Sequence, residues 1–234
     1  MTWPLTGRGP LVLCYHATSA SWEHLLSVPP ENLLRQLRAL VRWYRPIAAG
    51  EVLSADPRAL HVTFDDAYRS VATVIPSLRT LGVPVTVFVC SNYAAGGMPL
   101  DVPELALEAA TRPSELATME WDELRALAED GVEIASHTAS HAHLTRLGDT
   151  ELRFELTESR DRIENELQRE CRFLAYPYGE EDKRVRTAAR KAGYTAAFAL
   201  QGGSSQADPF AIPRLGIWRQ DYLLRIVAKL AFAR

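Results

Sequence analysis

Two adjacent carboxylates, Asp65 and Asp66, directly follow a short apolar segment at residues 60–64 and are the first candidates for chemistry. That segment does not alternate strictly between apolar and polar residues, which is typical of a buried strand. Carboxylates at the end of a buried strand are energetically costly unless another group compensates their charge, and a metal ion is the usual one. The alternative is a plain acidic turn or helix cap, because Asp caps helices well.

Two histidines separated by four positions form the second candidate. His137 and His141 follow a strand-like segment at residues 132–135. On a helix this spacing would place both imidazoles on one face, but the preceding strand favours a loop or a single turn. Histidines with this spacing are often structural or exposed; together with the two carboxylates they indicate a mixed metal site. Two imidazoles and one carboxylate leave an open coordination position, as in catalytic zinc sites.

In such a site the two carboxylates would have different roles. One would bind the metal, and the other would accept a proton from a water molecule that the ion activates. A third strand-like segment, residues 172–175, ends in Tyr176-Pro177-Tyr178-Gly179. Backbone N–H groups of Tyr178 and Gly179 could stabilise a tetrahedral oxyanion, although a plain turn is the alternative. Ligands bind at the carboxyl ends of strands in parallel α/β folds, so the three strand ends could converge on one pocket.

The elements that must position these residues alternate between strand and helix about seven times, which favours a parallel sheet covered by helices. No glycine-rich phosphate-binding loop follows the first strand, and we therefore predict an α/β barrel rather than an open sheet. Strands are predicted at residues 10–15, 60–64, 84–90, 132–135, 172–175, 194–200 and 211–217. Helices are predicted at residues 33–44, 71–78, 121–128, 149–170, 185–192 and 222–232. Residues 91–103 are predicted to form a loop and residues 202–205 a turn.

The bulk composition indicates one globular catalytic domain over residues 1–234. With 47% hydrophobic residues the chain can bury a core without a disulfide, and its net charge of −3 argues against nucleic-acid binding. Cys14, Cys90 and Cys171 are widely spaced and are predicted to be buried thiols in a reducing compartment. No apolar run reaches the roughly 20 residues of a membrane span. The N-terminus also lacks the form of a signal peptide, so we expect a cytoplasmic protein.

Three of these segments resemble motifs of one enzyme family. Residues 63–66 (Thr-Phe-Asp-Asp) match its first motif, and residues 137–141 (His-Thr-Ala-Ser-His) match its second. Residues 175–179 (Ala-Tyr-Pro-Tyr-Gly) are similar to its third motif. The chain thus resembles the polysaccharide deacetylases of carbohydrate esterase family four. The resemblance implies a distorted (β/α)7 barrel and metal-dependent hydrolysis of N-acetyl groups on sugars.

The resemblance also implies roles for individual residues, carried over by position. Asp65 would be the general base, and Asp66, His137 and His141 would bind one divalent metal ion. Zn²⁺ suits two imidazoles and one carboxylate best, with Co²⁺, Ni²⁺ and Mn²⁺ as alternatives. The backbone N–H of Tyr178 would help to stabilise the oxyanion.

The chain departs from the family pattern at several positions. Ala67 stands where the first motif often has Gly, and Ala175 stands where many members carry an Arg that orients the base. Arg214, near a late strand end, is the candidate replacement for that Arg. The chain lacks the late Leu-x-His motif that supplies the general acid in many members. Residues 14–16 (Cys-Tyr-His) resemble the early Tyr-His motif of another branch, which makes His16 the predicted general acid.

The prediction from sequence is therefore a metal-dependent N-deacetylase that releases acetate from an amino-sugar glycan or glycan precursor. Its partner would be an N-acetylated sugar or oligosaccharide, and no oligomeric state is predicted. One alternative keeps the fold but acts on a small non-sugar amide, because fold does not decide function. Another alternative is a catalytically silent sugar-binding module, which the missing Arg and the missing late His favour.

Overall fold

Seven parallel strands close into a barrel in the computed structural model, which describes residues 9–200 and 208–232. The described residues contain eight strands, of which all but β2 form the barrel: β1 (Leu11–Tyr15), β2 (Arg45–Pro46), β3 (Ala59–Phe64), β4 (Val85–Val89), β5 (Glu133–Ser136), β6 (Phe173–Ala175), β7 (Ala196–Leu200) and β8 (Ile212–Gly216). β1 pairs with both β3 and β8, and the ring continues from β3 through β4, β5, β6 and β7 to β8. The short β2 pairs with β3 without joining this ring. The predicted α/β barrel is confirmed.

Helices cover the outside of the barrel. They are α1 (Pro30–Leu40), α2 (Ile75–Thr80), α3 (Ala106–Thr111), α4 (Trp121–Glu129), α5 (Asp149–Leu167), α6 (Lys183–Lys191) and α7 (Leu223–Phe232). Short 3-10 helices lie at Ala49–Ser54, Arg69–Thr73, Pro103–Leu105, Leu144–Arg146 and Pro177–Gly179. α4 and α5 contact β5, and α6 contacts β7. None of the helices in the described residues combines the length and apolar character needed to cross a bilayer.

Alternate strand residues face either the barrel interior or the helices. The rings of Phe88 in β4 and Phe198 in β7 lie 5.6 Å apart, although these strands are not neighbours in the ring, so they meet inside the barrel. Val12 belongs to the same buried cluster. Leu13 and Val87, each next to an interior residue, belong to the larger cluster beneath the helices. Burial on both sides explains why the strands are nearly continuous apolar runs in the sequence.

The helix predicted at residues 71–78 is divided into two pieces. A 3-10 helix at Arg69–Thr73 precedes α2, which begins at Ile75. Pro76 therefore lies in the first turn of α2, where its missing N–H would have had no partner within the helix. The sequence pattern could not distinguish this arrangement from one interrupted helix.

Other differences from the predicted elements are small. The 3-10 helix at Pro103–Leu105 and the following α3 were not predicted, and the helix predicted at residues 149–170 ends at Leu167. The turn predicted at residues 202–205 lies outside the described residues. All three cysteines are buried and free, as the sequence predicted.

Candidate active site

The carboxyl ends of the parallel strands bring the predicted site residues to one end of the barrel. His16 follows β1, the carboxylate pair follows β3, and His137 follows β5. Hydrogen bonds between strands extend to these positions, since Asp65 N–H donates to Tyr15 O (2.9 Å) and His137 N–H donates to Val89 O (2.8 Å). The backbone of the site is therefore a direct continuation of the barrel.

Asp66, His137 and His141 form a buried cluster whose potential ligand atoms all lie within 4.8 Å of one another. Asp66 Oδ1 is 3.5 Å from His137 Nε2 and 3.4 Å from His141 Nε2. This oxygen is buried and has no hydrogen-bond partner among the described residues. Burial, together with the nearby Asp65, raises the pKa of Asp66. A divalent cation would supply the compensating charge that this carboxylate lacks, so the three residues fit such an ion.

The surroundings of the two imidazoles in this cluster favour the neutral form, which is the form that binds metals. Burial lowers the pKa of both His137 and His141, which favours neutral rings. His137 Nδ1 lies 2.8 Å from Ala175 O and must donate to this carbonyl, which leaves the lone pair on Nε2. The ring is thus oriented with its free nitrogen towards Asp66, the usual arrangement for a histidine ligand.

Asp65 is held by a bidentate ion pair with Arg214. Arg214 Nη1 lies 2.6 Å from Asp65 Oδ1, and Nη2 lies 2.8 Å from Oδ2. Burial opposes ionisation of Asp65, but the Arg214 charge outweighs it and holds the pKa of this carboxyl well below its usual range. Arg214 is itself buried and also donates to Thr63 Oγ1 (3.1 Å). The Cys14 thiol donates to Asp65 Oδ2 (3.3 Å).

His16 lies beside this ion pair. Its ring stacks on Trp218 with 5.5 Å between centroids and 26° between planes. The side chain is buried, and Nδ1 has no hydrogen-bond partner among the described residues. Burial lowers the pKa of His16 to about 4, although the charge of Asp65 opposes this shift. The imidazole is therefore neutral at neutral pH.

The Tyr-Pro-Tyr-Gly turn packs against the histidine loop. The Tyr178 ring stacks on His143 at 3.7 Å between centroids and meets His141 edge-on at 4.6 Å. Its hydroxyl donates to Glu104 Oε2 (2.9 Å). Gly179 has a φ of +69°, and a Cβ at this position would lie 2.3 Å from the Leu200 Cβ, so only glycine fits. These contacts fix the Tyr178 backbone beside the cluster.

A sequence model of the polysaccharide deacetylase family matches residues 53–197. The chain belongs to this family. The matched range includes the carboxylate pair, both cluster histidines and the Tyr-Pro-Tyr-Gly turn, whereas His16 and Arg214 lie outside it.

Two similar proteins carry the family name. “Putative polysaccharide deacetylase YxkH” of Bacillus subtilis is 22% identical over 210 residues, which are 84% of this chain and 66% of that protein. The chain thus spans just under two thirds of that relative. The structure of BC0361, a polysaccharide deacetylase from Bacillus cereus, superimposes with a TM-score of 0.74 at 20% identity over 95% of this chain and 69% of the other.

Two further structures superimpose over nearly the whole of both chains. The Streptococcus pyogenes deacetylase PplD, solved with acetate, has a TM-score of 0.75 at 18% identity and covers 96% of this chain and 99% of its own. IcaB from Ammonifex degensii has a TM-score of 0.75 at 20% identity and covers 97% and 98%. At these identities the similarity shows a common barrel fold.

The backbone of this family member is strained at the site. Six residues other than glycine have positive φ in the described part of the chain, and one of them, Gln168, ends α5. The other five lie at the site: Asp66, Ala67, Thr138, His141 and Tyr178. A left-handed conformation costs a residue with a Cβ about 1–2 kcal/mol, and it persists only where the surroundings fix it. Ala67 adopts it at φ +50°, so the change from the family's usual Gly is accommodated.

Sequence reasoning missed several residues that shape this site. The Cys14 contact with Asp65 and the Trp218 stack on His16 depend on neighbours that only the closed barrel brings together. Glu155 left a weak signal, because it shares the buried face of α5 with Leu152 and other buried side chains but carries a charge. A charged residue within an apolar stripe can indicate a specific polar contact.

Proposed function

We propose that this protein is a metal-dependent deacetylase that hydrolyses an N-acetyl group of an amino-sugar glycan or glycan precursor, releasing acetate and a free amine. The observation that carries the proposal is the buried Asp66–His137–His141 cluster next to the Asp65–Arg214 ion pair. Family membership supports glycan deacetylation as the reaction class. We further propose that residues 1–234 belong to one catalytic domain.

Asp66, His137 and His141 are the proposed metal ligands. A divalent ion held there would lower the pKa of a water molecule and polarise the acetamide carbonyl. Their donor set of two nitrogens and one oxygen suits Zn²⁺ best, and it also accepts Co²⁺, Ni²⁺ or Mn²⁺. One donor, His137, is oriented in advance by its hydrogen bond to Ala175 O.

Asp65 is the proposed general base. It is ionised because of Arg214, which holds both carboxylate oxygens and restricts the carboxylate plane. Each oxygen retains acceptor capacity for the proton of an attacking water. The backbone N–H of Tyr178 is the proposed donor to the oxyanion that forms on the carbonyl oxygen.

The proton that Asp65 accepts must reach the leaving nitrogen, and His16 is the proposed carrier. A ring nitrogen of His16, the Asp65 carboxylate and the Cys14 thiol lie within 4.8 Å of one another. The neutral imidazole can take up this proton and, because its pKa is about 4, releases it readily. The C–N bond then breaks, the nitrogen leaves as an amine, and Asp65 returns to its ionised form.

Acetate release from N-acetylglucosamine oligomers tests this proposal. We would strip the purified protein of metal and reload it with one equivalent of Zn²⁺ or Co²⁺. Asp66→Asn should be inactive at this low metal concentration, and Asp161→Asn, at an exposed position of α5, is the control. Metal-dependent release that is lost only in Asp66→Asn supports the proposal. Release from simple acetamides alone would favour a small-amide hydrolase, and sugar binding without any release would favour a silent module.

A further inference from the structure

The loop that joins the two proposed histidine ligands has an unusual hydrogen-bonding arrangement. Thr138 and His141 are both left-handed, with φ values of +69° and +63°. Four successive N–H groups, those of residues 138–141, all donate to side-chain oxygens. Since no regular element satisfies these donors, side chains determine the shape of the loop.

Glu155 of α5 accepts two of these four hydrogen bonds and a third from a hydroxyl group of the loop. Its Oε2 accepts from Ala139 N–H (3.0 Å) and Ser140 N–H (2.9 Å). Its Oε1 accepts from the Ser140 hydroxyl at 2.6 Å. The Glu155 side chain is buried, and within the described residues it forms no ion pair, so the loop supplies the donors that stabilise its charge.

Ser159, one helical turn beyond Glu155, supports the start of the same loop. Its hydroxyl lies 2.8 Å from Ser136 Oγ. Ser136 Oγ in turn accepts from Thr138 N–H (3.1 Å). The fourth N–H group bonds within the loop itself, since His141 N–H donates to Thr138 Oγ1 (3.2 Å). One face of α5 thus contacts the loop directly through Glu155 and contacts Ser136, the residue before the loop, through Ser159.

We propose that Glu155 is a positioning residue that shapes the 137–141 loop so that His137 and His141 direct their free nitrogens to one point. This inference rests on the proposed metal site. Without Glu155, Ala139 and Ser140 lose their acceptor, the left-handed residues relax, and the two imidazoles no longer share a cation. Groups that orient metal ligands typically change metal affinity by about 10–100-fold when they are removed.

Metal affinity, measured by competition with a chromophoric chelator for Zn²⁺, tests the role of Glu155. We expect Glu155→Ala to weaken Zn²⁺ binding by about 10–100-fold. Glu155→Gln should stay within about fivefold of the parent protein, because its amide oxygen can accept both N–H groups while its amide nitrogen donates to the Ser140 hydroxyl. Asp161→Asn, on the exposed side of α5, is the matched control and should bind Zn²⁺ as the parent does.

The outcomes separate this inference from the function on which it rests. If the parent protein binds no Zn²⁺, the proposed metal site is wrong whatever Glu155 does. If the parent binds Zn²⁺ and Glu155→Ala binds it equally well, the positioning role is overturned. Equal losses in Glu155→Gln and Glu155→Ala would assign the effect to charge and would overturn the role of the hydrogen bonds.

A second variant keeps the inference testable if Glu155→Ala does not fold. Ser140→Ala removes only the contact to Oε1 and leaves both N–H donors in place. We expect it to weaken Zn²⁺ binding by about three- to tenfold, the effect of losing one ordinary hydrogen bond. Unchanged affinity in a folded Ser140→Ala protein would contradict the proposal. Thermal unfolding of each metal-free variant shows which proteins are folded.

Discussion

Arg214 and Asp65 form a buried bidentate pair although they are 149 residues apart in the sequence. Barrel closure makes this contact possible, because β1 pairs with β8 on one side and with β3 on the other. At Ala175, where the family resemblance implies an Arg that orients the base, this chain has no guanidinium, and Arg214 of β8 contacts Asp65 instead. The guanidinium thus reaches the proposed base from a different strand.

Replacing Arg214 should lower both kcat and the free energy of unfolding. The size of each loss depends on which residue replaces it. Arg214→Ala leaves a buried carboxylate without its partner and should lower the free energy of unfolding by about 3–5 kcal/mol. Arg214→Lys keeps the charge but loses the bidentate geometry. We expect a smaller loss of stability and a fall in kcat of about 10–100-fold, since the base is no longer held in place.

Urea unfolding and acetate release, measured on the same protein samples, check the two Arg214 variants. Arg219→Lys is a suitable control, because Arg219 bonds to backbone carbonyls of the 20–27 segment and does not contact Asp65. An Arg214→Lys protein with the parent kcat would show that the orientation of Asp65 does not limit the reaction.

The two adjacent aspartates should give opposite results when each is changed to asparagine. Asp65→Asn removes the proposed base and should reduce kcat by about 10²–10⁴-fold while Zn²⁺ affinity stays nearly unchanged. Asp66→Asn removes a proposed ligand and should weaken Zn²⁺ binding, so that activity returns only at high metal concentration. Chelator competition and acetate release on both variants measure the difference. Loss of Zn²⁺ from Asp65→Asn would reverse the two assignments.

The sequence predicted the parts of this site that depend on local patterns. Strand ends were recognisable from apolar runs that stop at polar residues, and parallel strands necessarily direct those ends to one side of the barrel. Asp66, His137 and His141 therefore lie together as the sequence suggested. Arg214 was predicted only as a candidate, because its contact with Asp65 depends on how the barrel closes.

The sequence patterns did not predict the backbone conformation at the site. Nothing in the residue types of Thr138 or His141 indicates a left-handed conformation. Their N–H groups donate to Ser136 Oγ and Thr138 Oγ1, and these contacts form only in the folded loop. The sequence pattern predicted the helix that contains Glu155, but it did not predict that this side chain lies among the buried residues of α5. The short α3 was missed for a related reason, since it contains no buried residue and so lacks an apolar stripe.

The role of His16 can be tested with substrates that differ in their leaving groups. An amine must be protonated as it leaves, whereas a phenolate leaves without a proton. We therefore expect His16→Ala to lower kcat for an N-acetyl sugar by about 10²–10⁴-fold, but to lower kcat for an aryl acetate ester by less than about tenfold. His24→Ala, a histidine replacement in the same segment, is the control and should alter neither rate substantially. Equal losses of kcat on the amide and the ester would show that His16 does not take part in the proton transfer.

His61 should make the stability of the protein depend on pH below neutrality. It is buried inside the barrel, where Nδ1 donates to Ile47 O (2.9 Å) and Nε2 accepts from Thr86 Oγ1 (3.0 Å). Burial lowers its pKa from 6.5 to about 4, although the bond to Ile47 O opposes this shift. Between these two values the unfolded chain binds the proton more readily than the folded protein does. The free energy of unfolding must therefore fall as the pH is lowered through this range.

The expected loss from His61 alone is about 2 kcal/mol between pH 7 and pH 5. Urea unfolding of metal-free protein at both pH values measures it without any contribution from metal release. His61→Asn keeps a donor for Ile47 O but has no group that titrates. The variant should be less stable than the parent protein at pH 7, but its free energy of unfolding should fall by about 2 kcal/mol less between pH 7 and pH 5. His16 has a similarly lowered pKa and should account for part of the remaining pH dependence. An identical pH dependence in His61→Asn would mean that His61 is not held neutral in the folded protein.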